Sequence, residues 1–503
     1  MNQLKAGAIL NYIIIFLNIL VGLLYTPYML RMMGQSEFGL YSLVASVISY
    51  LTILDLGFGN AIIRYTAKFR TEGKQKEQYE MFGMFLILYI VIGVIAMAIG
   101  MVLYLNVEAL FGQTMTAVEL DRARIMVLIL VFNLAFTFPM SIFGSILTAY
   151  EEFVFPRIVN SLRIVLNTVV MIVLLHYGYR AIAMVVVQTV FNVFTLILNF
   201  IYCKKKLKIK LLYAHFKWGF LKEVAIYSFW ILLNVIMDKI YWSTGQFVLG
   251  AVSGTIAVSV FAIAIQLEGM YMTFSTAISS VFLPKVTGMV TMNDNDEHIS
   301  NLFVKTGRLQ NIIMLGILTG FVVFGKEFIV LWAGADYVNS YYMTLAFFVA
   351  LYIPLIQNLG ITILQARNQM KFRSLLYIII ACFALIAEIV FAKMWGGIGC
   401  AIAIAGALLL GQGLIMNIYY KRVQKIDISG FWIEIIKMNI APILLSIIAY
   451  FLFNHALMCD TWFKLVMSIL IYGLFYIGSC CFFSLNKEEK SLLLGPFKRI
   501  VTK

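Results

Sequence analysis

Charge is scarce in this sequence. Only 12% of its 503 residues are Asp, Glu, Lys or Arg, about half the share usual in a soluble domain, and the mean hydropathy is +0.94. Too few charged side chains remain to cover a water-soluble globule. Histidine is rarer still: His176, His215, His298 and His455 are scattered without metal-ligand spacing. Cys203, Cys382, Cys400, Cys459, Cys480 and Cys481 also lack metal spacing, and most lie in apolar runs, where they read as core residues. No nucleophile, acid and metal ligand come together, which argues against an enzyme and against a bound cofactor. One motif, Asp294-Asn295-Asp296, has the D-x-D form that holds a metal and a nucleotide-sugar in glycosyltransferases. No nucleotide-binding fold accompanies it, and a solvated acidic turn is the simpler reading. The strict apolar–polar alternation of a transmembrane barrel is absent as well.

What is abundant is apolar length. Hydrophobic residues make up 62% of the chain, in runs of roughly 20 residues, enough to cross a ~30 Å hydrocarbon core as helices. Backbone groups in lipid must bond internally, so the fold class is an all-α polytopic membrane protein. Fourteen spans fit, near 8–30, 38–59, 81–105, 124–148, 158–177, 181–202, 224–248, 252–283, 309–332, 342–365, 375–394, 397–420, 438–458 and 463–484. The first, Ala8 to Leu30, is too long for a signal-peptide core and lacks a small-residue cleavage site. Connections are short, and no soluble domain fits between spans.

The net charge of +14 would suggest nucleic acid in a soluble protein. Here it records topology. With the N-terminus inside, about 29 Lys and Arg fall in interior segments, about 7 outside and about 2 within spans. Lys204, Lys205, Lys206, Lys208 and Lys210 form the densest interior run. Both termini are expected in the cytoplasm.

One stretch occurs twice. Residues 145–166 and 362–383 both pass from an apolar helix through Ile-Leu-x-Ala and a polar turn into a second apolar helix, with Leu147 matching Leu364, Ala149 matching Ala366 and Phe155 matching Phe372. The segment from Leu17-Asn18 to Tyr25 lies over Leu233-Asn234 to Tyr241, and Tyr202 over Tyr420; Pro139 and Pro354 fall within two or three residues of register. The offset stays near 217, so duplication is expected. The organisation is then an N-terminal lobe (1–202, spans 1–6), a basic amphipathic linker on the inner leaflet (203–223), a C-terminal lobe (224–420, spans 7–12), two added spans (438–484) and a cytoplasmic tail (485–503). Six helices per copy keep both copies in one orientation, with function between them.

Intramembrane polar groups are the functional candidates, because each needs a partner or a cavity. Span 7 carries Asn234, Asp238 and Tyr241 on one face, with Lys239 adjacent; span 1 carries Asn11, Asn18 and Tyr25 on the matching face, with Gly22 where the copy has Asp238. Span 5 carries Asn160, Arg163 and Asn167. Asp55, Gln266, Glu268 and Glu388 complete the set. For the asparagines alone, hydrogen bonds between helices inside a lobe account for their presence. Arg163 and Lys239 have no acid one helical turn away, and Asp238, next to Lys239, points about 100° from it around the helix, so both cations favour a cavity. Pro27, Pro139 and Pro354 are placed to bend spans, which suits rocking lobes and static bends alike.

The segment Gly34-Gln-Ser-Glu-Phe38-Gly39-Leu-Tyr41-Ser-Leu, followed by Leu54-Asp55-Leu-Gly57-Phe-Gly59-Asn60-Ala, resembles the opening of bacterial oligosaccharide flippases of the polysaccharide transporter family. These belong to the multidrug/oligosaccharidyl-lipid/polysaccharide exporter superfamily. The resemblance implies a substrate, an oligosaccharide repeat unit on undecaprenyl pyrophosphate, and its transfer from the cytoplasmic to the outer leaflet of the bacterial cell membrane by alternating access. It implies as partners the lipid-linked oligosaccharide, membrane lipids, and a polysaccharide polymerase with its chain-length machinery. On that reading Arg163 and Lys239 meet the pyrophosphate, Arg64 attracts it at the inner mouth, and Asn18, Asn234, Tyr25 and Tyr241 meet sugar hydroxyls. Asp55, Asp238, Glu268 and Glu388 are candidates for a coupling proton or sodium ion. Three alternatives stay open: a drug or small-amphiphile antiporter; a lipid II flippase, which span 1 disfavours by being uncharged until Arg31; and a membrane-embedded polysaccharide enzyme, for which no large outer loop is available.

Overall fold

The long apolar runs satisfy their backbone groups as helices. The computed structural model describes residues 3–213, 218–292, 295–455, 459–486 and 489–490, with fifteen α-helices and no strand among them. In chain order these are α1 (Gln3–Met33), α2 (Gln35–Leu51), α3 (Phe58–Thr71), α4 (Gln75–Phe111), α5 (Ala117–Ala149), α6 (Val154–His176), α7 (Ala181–Lys205), α8 (Trp218–Thr291), α9 (Asp296–Trp332), α10 (Asn339–Ile356), α11 (Leu359–Ala366), α12 (Met370–Leu408), α13 (Met416–Arg422), α14 (Ile428–His455) and α15 (Trp462–Ser479).

Among the described residues, twelve stretches are long and apolar enough to cross a membrane. Two exceed one crossing: Ile231–Ser279 has 49 residues and Met370–Arg422 has 53, about 75 and 80 Å of helix against a ~30 Å core. Each contains one glycine with a positive φ, Gly254 at 81° and Gly396 at 58°, where the helical geometry is broken. Each stretch is therefore two spans meeting at a glycine, and the number comes to the expected fourteen.

Span 2 is itself discontinuous. Between α2 and α3 lie a 3-10 turn, Thr52–Asp55, and two left-handed residues, Leu56 and Gly57. Of the three expected bends, Pro27 and Pro139 sit inside continuous helices, whereas α10 ends just after Pro354 and the span resumes as α11. A π-helical turn, Leu409–Ile415, separates α12 from α13.

The duplication is written into the backbone at an offset of 217. Glu152 N donates to Leu147 O (3.0 Å), and Gln369 N donates to Leu364 O (2.8 Å). Ile209 N donates to Cys203 O (3.1 Å), and Ile426 N to Tyr420 O (3.0 Å). The left-handed residues Glu151 and Lys208 (φ 60° and 52°) recur as Asn368 and Lys425 (φ 54° and 55°).

The chain divides by packing into two compact units, Met1–Ala262 with Ile389–Gly397, and Ile263–Glu388 with Ile398–Lys503. In the first, Phe58, Ile62, Phe82, Phe85, Phe143 and Ile146 of α3, α4 and α5 form a core that also takes in Cys203 and Ile209. The linker expected on the leaflet surface is anchored here over its described part. Leu212 N donates to Tyr79 O at 3.2 Å, and Gly83 lies so close that a Cβ there would stand 2.2 Å from Leu212 O. His215 and Phe216 lie outside the described residues. In the second unit, α14 and α15 pack on α9 through Phe324, Phe453, Tyr472 and Tyr476. Tyr472 Oη donates to Thr319 Oγ1 at 2.8 Å, and Tyr476 Oη to Ile312 O at 2.8 Å.

Candidate functional site

A pocket of about 490 Å³ opens in the first unit, walled by α1, α2, α5, α6 and α7. Its polar lining is Asn18, Tyr25 and Thr26 from α1, Tyr41 from α2, Asn133 from α5, Arg163, Asn167 and Thr168 from α6, and Gln188 and Asn192 from α7. Val21, Ile164, Met171, Met184 and Phe191 are among its apolar residues. Arg163 lies nine residues into the 23-residue α6, about 14 Å along a helix of about 35 Å, so the pocket reaches mid-membrane depth.

The polar side chains form a linked set. Arg163 Nη1 donates to Asn192 Oδ1 at 3.3 Å, and Asn192 Nδ2 donates to Asn133 Oδ1 (2.8 Å) and Thr137 Oγ1 (2.9 Å). Tyr41 Oη donates to Gln188 Oε1 at 3.0 Å, and Tyr25 Oη contacts Met184 Sδ at 3.2 Å. Asn167 Nδ2 reaches Met171 Sδ at 3.5 Å, while its buried Oδ1 has no hydrogen-bond partner among the described residues. No carboxylate lines the pocket, and none pairs with Arg163 among the described residues. A cation in apolar surroundings is costly without a counter-charge, so a pocket of this composition suits an anion or a polar, hydroxyl-rich ligand.

Three residues expected to touch substrate, Arg163, Asn18 and Tyr25, thus meet here with a fourth polar candidate, Asn167. Asn133, Gln188, Asn192 and Tyr41 complete the pocket and are not among the expected residues. Each is polar within an apolar run, and that criterion alone would have found them. Lys239, Asn234, Asp238 and Tyr241 are carried by α8 and do not line this pocket. The expected common face of Asn234, Asp238 and Tyr241 does not share one environment, since Tyr241 is buried, Asp238 exposed and Asn234 half-buried, as is the adjacent Lys239. The reason is a neighbour: from Tyr241 onward α8 runs against α2. There Ser49 Oγ and Ser243 Oγ stand 2.9 Å apart, Tyr50 bonds Thr244, and a Cβ on Gly39 would stand 1.9 Å from Thr255 O.

Arg64 is exposed on α3, its guanidinium 5.9 Å from the Tyr65 ring. Asp55 sits at the break in span 2 and accepts from Tyr89 Oη at 2.8 Å. Glu268 on α8 is buried. Glu388 on α12 is fully buried, and neither carboxyl oxygen has a hydrogen-bond partner among the described residues. Asp294 lies outside the described residues. Its neighbours have structural work: Asn295 caps α9 by accepting from Glu297 N (3.2 Å), and Asp296 accepts from Arg367 Nη2 (2.6 Å). No group of three His, Cys, Asp or Glu able to hold a metal occurs among the described residues.

Among solved structures, the fold is similar to a lipid II flippase, MurJ, in an inward closed conformation, with a TM-score of 0.72, 18% identity, and coverage of 98% of this chain and 99% of that one. An inward-facing multidrug resistance transporter of the MATE family, in the MOP superfamily, matches with a TM-score of 0.62, 16% identity, and coverage of 83% and 98%. A MOP superfamily transporter from Pyrococcus furiosus matches at 0.56, 14% identity, and coverage of 84% and 98%. At such identities these likenesses establish the fold. No curated protein sequence matches. A family profile described as polysaccharide biosynthesis protein matches residues 28–342, more than half of the chain. By that match, this multi-pass membrane protein belongs to the polysaccharide biosynthesis protein family.

Proposed function

We propose that the protein is a flippase that moves undecaprenyl-pyrophosphate-linked oligosaccharide repeat units from the cytoplasmic to the outer leaflet of the bacterial cell membrane, with both termini in the cytoplasm. The observation that carries this reading is the mid-membrane pocket, whose amides and hydroxyls surround one arginine with no carboxylate partner among the described residues. A saccharide cargo supplies hydroxyls for the amides and anionic groups for the cation. Family membership supports a cargo belonging to polysaccharide assembly, and the neighbours' fold supports transport over catalysis. The work is conformational: two duplicated helical lobes expose the site to each side in turn while the lipid tail stays in the bilayer. Of the four candidate acids, Glu268 and Glu388 are the buried ones, which suits them to carry a coupling proton or sodium ion. A polymerase and chain-length machinery would take the product outside.

The test is complementation of surface glycan display in a flippase-deficient bacterial strain, with membrane abundance measured in parallel. Restored display supports flipping; an abundant wild-type protein that restores none, across strains with different repeat units, removes it. A second reading, lipid II flipping, draws on the full-length match to MurJ. It predicts rescue of a strain depleted of its lipid II flippase.

A further inference from the structure

We propose that the pocket of the first unit is a saccharide subsite selective for a sugar ring bearing a single carboxylate. The proposal rests on the flippase reading and names the part of the cargo that this pocket takes. Arg163 is the one charged residue in the lining among the described residues. It uses one of its five N–H donors, in a long bond to Asn192. A guanidinium fork matches a carboxylate in two parallel hydrogen bonds. Charge balance points the same way. One carboxylate neutralises the pocket, whereas a doubly charged pyrophosphate diester would leave a charge uncompensated at mid-membrane depth.

The neutral groups discriminate further. Asn167 Oδ1 is a buried acceptor without a hydrogen-bond partner among the described residues. A sugar hydroxyl can donate to it, and an ionised phosphate, which carries acceptors only, cannot. The amides of Asn133, Gln188 and Asn192 both donate and accept, as ring hydroxyls do. Phe191 gives the lining an apolar surface for the C–H face of a ring. About 490 Å³ is within the range of small-molecule sites, which suits part of a repeat unit and not the whole of it.

The experiment is calorimetric titration of the full-length protein in lipid nanodiscs with D-glucuronate, D-glucose and inorganic pyrophosphate. Glucuronate is expected to bind at one site at least tenfold more tightly than glucose, without displacement by pyrophosphate. Arg163→Gln should bring glucuronate affinity down to that of glucose. Asn167→Asp, which places a carboxylate one helical turn from Arg163, should do the same while the melting temperature stays near wild type, so that selectivity is read even if Arg163→Gln folds poorly. Lys74→Gln, on the exposed inner surface, should bind as wild type. Equal affinities for glucose and glucuronate, undiminished glucuronate binding in the folded variants, or displacement by pyrophosphate would overturn the proposal. Intact surface display without selectivity removes the subsite and leaves flipping; selectivity without display does the reverse.

Discussion

Phe155 lies on Tyr202 with ring centroids 4.0 Å apart and planes 20° from parallel, and 217 residues later Phe372 lies on Tyr419 at 4.2 Å and 6°. The ring pair joins the start of one span to the end of the next in each copy. It also corrects the register read from sequence by one residue, since Tyr419, not Tyr420, is the counterpart of Tyr202. A neighbouring pair shows how the copies diverged. In the first unit a large residue, Phe143, meets a small one, with Cys203 Sγ 3.5 Å from Phe143 O. At the equivalent positions of the second unit the sizes are exchanged: Gly360 meets Tyr420, and a Cβ on Gly360 would stand 2.5 Å from the Tyr420 ring.

That exchange predicts a double-mutant cycle. Gly360→Phe alone overpacks the site, by about 1–3 kcal/mol or more. Tyr420→Cys alone leaves a cavity, at a cost of about 3–5 kcal/mol, the range for large aromatic truncations. The double variant recreates the Phe–Cys pair and should be more stable than the sum of the two losses allows. Thermal unfolding of purified protein reads the difference, and strict additivity would argue against the size exchange.

One end of the second unit is tied by a largely buried ion cluster. Arg308 on α9 donates to both oxygens of Glu489 (2.7 and 2.9 Å), to Glu434 Oε2 (2.7 Å) and to Ser484 O (3.0 Å). Arg308→Leu strands the buried Glu489 carboxylate and should cost about 3–5 kcal/mol, and Glu489→Leu, which leaves Arg308 its bond to Glu434, should cost less. Burial pushes the Glu489 carboxyl up, but the bonds from Arg308 and the Asn486 amide outweigh it and hold the group below its ordinary value. With the folded value depressed, this stabilisation is complete above the unfolded carboxylate pKa and disappears as pH falls through the lower folded one. Melting temperatures should therefore fall with acidification in wild type, and fall less in Glu489→Gln.

The break in span 2 is held by Tyr89 donating to Asp55. A hydrogen bond contributes about 0.5–1.5 kcal/mol net. Tyr89→Phe should lose about that much stability, and Asp55→Asn, which keeps an acceptor, should lose less. If the break also works as a hinge, both variants should slow surface display at unchanged membrane abundance. Display at wild-type rate in Tyr89→Phe would limit Asp55 to an anchoring role.

Orientation is checked by labelling. Single cysteines at Lys74, Lys206 and Lys371 in an otherwise cysteine-free protein should react with an impermeant maleimide only when the cytoplasmic face is open. One at Gln113 should react in intact cells. Reaction of Gln113 and Lys206 from the same side would end the fourteen-span arrangement.

Hydrophobic length alone determined the helical membrane fold and its fourteen spans, because lipid leaves the backbone no alternative to internal hydrogen bonds. The duplication was also legible, since turns such as Ile-Leu-x-Ala keep their residues when the backbone must take one left-handed step. Which polar residues would meet was decided by tertiary structure. Arg163, Asn18 and Tyr25 share a pocket because α1, α6 and α7 converge on it, and convergence of helices distant in sequence leaves no trace in a helical period. Lys239 and Tyr241 look equivalent to that set in sequence. The difference lies in their neighbours, since α8 spends that stretch against α2 at Gly39 and Ser49. A span's own periodicity specifies which residues share a face, and only the packed helices specify what that face meets.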